Sequence, residues 1–118
     1  MLSKNSRLRS ERDYARLFAK GKNVNGKGVG MKFLRLPVGS GVRIGFVVST
    51  KVSKRANVRN LIKRRMRVAV KPYLPTLTDI DIAFMARSES KDMTYAQIVD
   101  SMKAVLEKSG VLGQSVNS

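Results

Sequence analysis

A chain of 118 residues with 42% hydrophobic content has the size of one ordinary domain with a modest core, which excludes outright disorder and several domains as first expectations. It contains no Cys and no His, which excludes disulfides and thiolate metal sites and removes both the commonest metal ligand and the commonest general base. The formal net charge is +16, and from Tyr14 to Thr78 there are sixteen Lys and Arg with no Asp or Glu, so nucleic acid is the leading partner and an anionic membrane surface the weaker one.

Residues 1–9 are polar and basic without periodicity and read as a flexible or partner-ordered arm. The first residues lack the apolar stretch of a secretory signal, and no apolar run approaches the roughly 18 residues of a membrane span. A soluble, cytoplasmic protein without membrane contact is expected. The domain proper is expected over 10–110, with a loose tail over 111–118. Ser10 followed by Glu11 and Asp13 has the pattern of a helix start, and Tyr14, Leu17 and Phe18 share one face at i, i+3, i+4. The spacing predicts a helix over Glu11–Lys20, with Gly21 as a left-handed C-terminal cap. Tyr14 and Phe18, one turn apart, read either as core anchors or as platforms on which bases stack, and the inside preference of aromatics favours the core.

Lys22–Gly30 is glycine-rich and reads as a loop with a very short strand near Val24. Its Gly26-Lys-Gly-Val-Gly30 run is a poor phosphate loop, lacking the Lys-Ser/Thr ending and the strand-to-helix context. Val29, Met31 and Phe33 alternate with Gly30, Lys32 and Leu34, which predicts a strand to about Leu36. Pro37–Gly41 then reads as a hairpin connection into a second strand, Val42–Ser49. The nearly continuous Gly45-Phe-Val-Val48 run suggests that this strand lies centrally.

Lys51–Lys71 is the densest part of the basic field. From about Asn57 it has helical spacing, and with Arg59 at zero, Arg59, Lys63, Arg67, Asn60 and Arg64 fall on an arc from 0° to about 140°. Val58, Leu61, Ile62, Met66, Val68 and Ala69 fill the opposite arc, from about 180° to 340°, with Arg65 among them laying its stem along the core and its head toward water. One face can seat on a core while the other meets a polyanion. Lys71-Pro72 and Leu74-Pro75 are expected to end helical structure. Ile80–Ala86 reads as a strand with Asp81, Ala83 and Met85 on its second face. Thr94-Tyr-Ala-Gln97 is a capping box that opens a helix with an Ile98, Val99, Met102, Val105, Leu106 stripe, ending at Gly110.

The fold class expected is α+β, a single domain in the order α-β-β-β-α-β-α. It has a mixed sheet, antiparallel at the hairpin and parallel across the basic helix, which forms a β-α-β crossover. From the residues alone, a structural RNA-binding protein of ribosomal type remains a rival. A helix-turn-helix DNA binder is disfavoured because no partner helix precedes the basic one. A nuclease using its own carboxylates is disfavoured because the acids lie away from the basic field.

The run Lys54-Arg-Ala-Asn-Val-Arg-Asn-Leu-Ile-Lys-Arg-Arg-Met-Arg67 resembles the signature helix of the bacterial ribonuclease P protein subunit, Arg-Asn-Arg followed by Ile-Lys-Arg and a further Arg. The resemblance spans roughly residues 6 to 110, taking in Arg7-Leu8, Asp13-Tyr14, Phe18, Gly21, Arg43-Ile-Gly-Phe-Val-Val-Ser49 and Ala86-Arg87. It implies a left-handed β-α-β crossover. It also implies a protein that assists a catalytic RNA in removing the 5′ leader of precursor tRNA, with Mg²⁺ held by the RNA and neither a catalytic side chain nor a metal ligand in the protein. By the same resemblance Arg59, Asn60, Lys63, Arg64 and Arg67 match the helix that faces the catalytic RNA, and Tyr14 and Phe18 the aromatic positions of a leader cleft; Lys51, Lys54 and Arg55 are expected to extend the RNA-binding face, and Lys32, Ser49 and Lys51 to complete the cleft. Two positions depart from the family: Leu61 stands where the second signature Arg is expected, and Lys32 where an aromatic is common. The wheel places Leu61 among the packed residues.

Overall fold

The computed structural model describes Leu8 and residues 10–112. The arm and tail expected at the ends lie outside these residues, except for Leu8, Val111 and Leu112. Leu8 and Val111 are buried, and Leu112 packs against the main core.

Helix α1 (Glu11–Lys20) is followed by β1 (Lys22–Val24), β2 (Val29–Arg35), β3 (Val42–Val47), α2 (Ala56–Val70), β4 (Ile80–Ala86) and α3 (Tyr95–Ser109). This is the α-β-β-β-α-β-α order. The strands form one mixed sheet in the order β1-β2-β4-β3. β3 and β4 run parallel across the α2 crossover, while β1/β2 and β2/β4 are antiparallel.

Two expectations fail together here. Pro37–Gly41 is not a hairpin between paired strands, because β4 lies between β2 and β3; and β3 is an edge strand, not a central one. The centre goes to β4, whose first five residues are all buried. Asp79 fastens the connection that bridges β4: its Oδ1 accepts from Gly39 N at 3.1 Å and Gly41 N at 2.9 Å, and its carbonyl accepts from Leu36 N at 2.8 Å. Part of the outer edge of β3 is covered by Leu8, whose amide donates to the Ile44 carbonyl at 3.0 Å. The run 45–48 can be apolar at a sheet edge because Val48 is buried in the main core and Phe46 packs against it.

The main core fills the face made by Val29, Met31, Phe33, Ile44, Ile80, Ile82 and Phe84, against Ile62 and Met66 of α2 and Ile98, Met102, Val105 and Leu106 of α3. The other face carries α1 on a separate cluster of Leu8, Leu17 and Ala83, with Tyr14 and Leu34 against it. Both caps expected at helix starts form: the Ser10 side chain accepts from Asp13 N, and Thr94 and Gln97 make the full capping box. Gly110, with φ 79°, is a left-handed cap. Gly21 is not, since its φ is −76°; its small size is needed instead, because a Cβ there would lie 2.8 Å from the Phe33 carbonyl oxygen. The α-helix ends at Val70, directly before Lys71-Pro72 as expected, but a 3-10 helix over Lys71–Thr76 follows, with Pro72 in its first turn and Pro75 inside it.

Candidate nucleic-acid interface

The buried seam of α2 is Ile62, Met66, Ala69 and Val70. On the wheel this seam is turned by roughly 60° toward Arg59 from the arc expected. Val70, at the end of the helix, completes the seam, and Val68 is left 46% exposed. Leu61 is only half-buried and outside the core cluster, so the packed role expected of it is not met. Arg65 is half-buried and its Nη1 donates to the Met93 carbonyl at 3.3 Å, so its head is tied to the protein and not simply to water.

The rotation puts Arg59, Lys63 and Arg67 along the margin of the seam, each half-buried, while Asn60 and Arg64 stay exposed. Arg59 Nη1 donates to the Ser53 carbonyl at 2.9 Å. The Arg67 guanidinium lies 5.6 Å from the centroid of Phe46, which in turn stacks on Phe84. These two cations are held in place before any partner arrives, whereas Lys54, Arg55 and Arg64 extend into water. Three cations at i, i+4, i+8 repeat every ~6 Å along the helix axis, a spacing suited to successive phosphates. The helix start has no acid in its first turn and Arg55 at its N-cap, so no carboxylate offsets the positive end of the helix.

A second basic site lies on the sheet face opposite the main core. Strand alternation places Lys32, Ala83 and Gly45 in one row and Gly30, Met85 and Val47 in the next. Tyr14 and Phe18 form one wall, their ring centroids 6.1 Å apart. Phe18 is 43% exposed, and the Lys32 ammonium sits 5.5 Å from its ring centroid. Tyr14 is half-buried, its hydroxyl lying over Gly45 where any Cβ would collide with it. Burial raises the Tyr14 pKa above the ordinary phenol value of 10.0, so the hydroxyl keeps its proton at neutral pH. Across the sheet, Arg87 Nη2 donates to Asn25 Oδ1 at 2.7 Å, and its guanidinium crosses Gly30 where a Cβ would strike it. The glycines leading into β2 serve close packing, against Val105 at Gly26, Met93 at Gly28 and Arg87 at Gly30.

Of the cleft residues expected, Tyr14, Phe18 and Lys32 come together. Ser49 and Lys51 line a separate groove of about 360 Å³ at the C-terminal ends of β3 and β4, with Arg87 and Glu89. Arg87 is a cation of this region that residue spacing did not single out. Neither did it single out the group beneath α1. There Arg43 Nε and Nη2 donate to the two carboxylate oxygens of Asp81, both at 2.9 Å, and Arg43 Nη1 donates to Asp13 at 2.8 Å. Arg16 donates to Asp81 at 3.2 Å. The hydrogen bond to Asp81, with the charges of Asp81 and Asp13, raises the Arg43 pKa further above its ordinary range despite the cost of burial. The signal available was an aspartate in an otherwise apolar strand, which the register sets opposite Arg43.

The carboxylates nearest the cleft are therefore committed to arginines, and among the described residues no group of three or more acids could hold a metal ion. These residues do not fit a protein-bound metal. Two cationic surfaces on a small α+β domain, one with an exposed aromatic, define a protein of the RNA-binding class.

The comparisons give that class its family. The profile of the Ribonuclease P family matches residues 2–110. The ribonuclease P protein component of Pseudanabaena sp. (strain PCC 6903) is 35% identical over 113 residues, covering 95% of this chain and 97% of that one. The Staphylococcus aureus RNase P protein superposes with a TM-score of 0.82 at 30% identity, over 92% of this chain and 98% of that one. The Thermotoga maritima RNase P protein shares the fold, with a TM-score of 0.74 at 23% identity over 86% of this chain and 96% of that one. The chain belongs to the ribonuclease P protein family, whose members are protein components of a tRNA-processing ribonucleoprotein endonuclease and partner its RNA subunit.

Proposed function

We propose that this protein binds the catalytic RNA through the outer side of α2 and the single-stranded 5′ leader of precursor tRNA through the cleft beside α1, in the cytoplasm. Lys51, Lys54, Arg55, Arg59, Asn60, Lys63, Arg64 and Arg67 serve the RNA. Tyr14, Phe18 and Lys32 serve the leader, with Ser49 and Lys51 at the strand ends. The observation that carries the leader assignment is the Phe18 ring, 43% exposed on the face away from the main core with the Lys32 ammonium over it. A ring of this kind stacks on any base and the ammonium meets any phosphate, which suits leaders of varied sequence. The protein's cations lower the repulsion between two polyanions, and the Mg²⁺ that cleavage uses belongs to the RNA.

The test is reconstitution with a catalytic RNA at low Mg²⁺. Addition of the protein is expected to restore 5′ cleavage of precursor tRNA. Replacing Tyr14 and Phe18 by Ala is expected to weaken precursor binding by roughly 10-fold or more, from a stacking contribution of about 1–3 kcal/mol per base, and to leave mature tRNA binding unchanged. Equal loss for both substrates would refute the cleft assignment.

A further inference from the structure

The four charged side chains beneath α1 contribute no net charge and so no attraction for RNA. Asp81 is fully buried, and in a chain with only eight acidic residues it and Asp13 are both committed to Arg43 and Arg16. Removing two such charges from water is costly, and a buried ion pair is a poor source of stability compared with apolar packing. What it supplies is geometry, since the Arg43 fork can meet Asp81 in one orientation and its third nitrogen then fixes Asp13.

The geometry bears on α1 because its apolar seat is small. Its fully buried residue is Leu17, in a cluster whose other buried members are Leu8 and Ala83, with Tyr14 packed part-buried against it. These apolar contacts hold one flank of the helix and leave the flank of Asp13 and Arg16 to its polar contacts. Setting Asp13 at zero, Arg16 lies at about 300°, Leu17 at about 40°, Tyr14 at about 100° and Phe18 at about 140°. Leu17 therefore lies between the salt-bridged flank and the aromatic flank. Pinning Asp13 and Arg16 to Arg43 and Asp81 on one side sets the roll that aims Tyr14 and Phe18 on the other. We propose that the Asp13–Arg16–Arg43–Asp81 tetrad is the positioning element of the leader cleft, fixing the roll of α1 so that Phe18 meets the leader. This inference rests on the leader reading above.

The test uses the holoenzyme reconstituted with Asp13→Asn and, separately, Arg43→Lys, which keeps a charge but cannot form the fork. Binding is measured for a precursor with a long single-stranded leader and for mature tRNA, with thermal unfolding of each free protein alongside. The expected result is a loss of leader-dependent preference of roughly fivefold or more, as misplacement of a positioned group predicts, with mature tRNA affinity unmoved. Asp13→Glu, which can still reach Arg43, is expected to restore much of the preference. A tetrad that only stabilises the fold would lower the unfolding temperature and weaken both substrates alike, or neither, and either result overturns the proposal. Should Arg43→Lys fail to fold, Asp13→Asn decides, because Asp13 lies at the partly exposed rim and the Arg43–Asp81 fork remains without it. Phe18→Ala separates the two readings. If it removes the preference while the tetrad variants keep it, the positioning inference alone falls; if it too keeps the preference, the leader reading falls and this inference with it.

Discussion

Replacing Lys32 by Met removes one charge while keeping an unbranched side chain that can lie on the Phe18 ring as the lysine does, at 5.5 Å from ammonium to centroid. A cation contacting one phosphate of a single strand contributes about 0.7 to the slope of log affinity against log salt. Between about 0.05 and 0.2 M salt, a fourfold change, the native protein should then lose roughly 2.6-fold more affinity for the precursor than the variant does. The methionine keeps a contact with the ring in place of the cation–π attraction, so the salt-independent part of binding should change little. The assay is equilibrium binding of fluorescently labelled precursor and mature tRNA to the holoenzyme across a salt series at fixed divalent ion. The reasoning requires the slope to change for the precursor only. Equal slopes for native and variant would show that Lys32 meets no phosphate, and the same change with mature tRNA would place its contact on the tRNA body.

Gly45→Ala drives a methyl group into the Tyr14 hydroxyl, so unfolding measurements should show a loss of about 1–3 kcal/mol, with weaker binding of leader-bearing substrate. Leu61→Arg restores the family's residue at a half-buried site outside the core; stability should stay within about 0.5 kcal/mol while the salt slope for catalytic RNA steepens by up to about 0.9 if a duplex-like phosphate is met. Tyr14 is an acid whose folded pKa lies above its ordinary 10.0, so its proton stabilises the fold fully below pH 10.0 and that contribution disappears as pH rises through the folded value. Denaturant unfolding of the native protein and Tyr14→Phe should therefore differ by a constant amount below pH 10.0, with the native protein losing ground to the variant above it.

Local signals were readable in the sequence wherever neighbours in the chain decide them. Ser10 and the Thr94/Gln97 box mark helix starts by their own side chains, and the 3.6-residue periods of α2 and α3 place both helices within a residue or so. Pairing was not readable in the same way. Pro37–Gly41 has hairpin composition, and only the distant Asp79 shows that it carries the chain past β4. β4 concealed its central position because Asp81 looks like a solvent-facing residue until Arg43 and Arg16 are placed upon it. The wheel for α2 found Ile62, Met66 and Ala69 but not Val70, and its roll was wrong, since α3 and Val70 help determine which side is buried. Tyr14 and Phe18 were brought together by their i, i+4 spacing, and Lys32 reached the same face by strand alternation. The Arg87–Asn25 contact, and the contacts that tie Asp13 and Arg16 of the tetrad to Arg43 and Asp81, join residues thirty or more positions apart in the chain, beyond the reach of any periodicity.

The central place of β4 also orders the events of synthesis. Among the described residues β3 has β4 as its only strand neighbour and β2 has β4 on one side, so until Ile80–Ala86 is made the described strands offer only the β1/β2 pair and an unpaired β3. Every cation of the acid-free segment is translated before that strand, and Arg43 waits for Asp81. The chain therefore carries its full attraction for RNA while it has no completed sheet, and closure depends on long-range pairing, which is slow in folding. A chain ending before residue 80 is therefore expected to hold the acid-free cationic segment without the strand that completes the sheet, and to bind polyanions with little selectivity; limited selectivity for precursor over unrelated RNA in a 1–79 fragment is the result to look for.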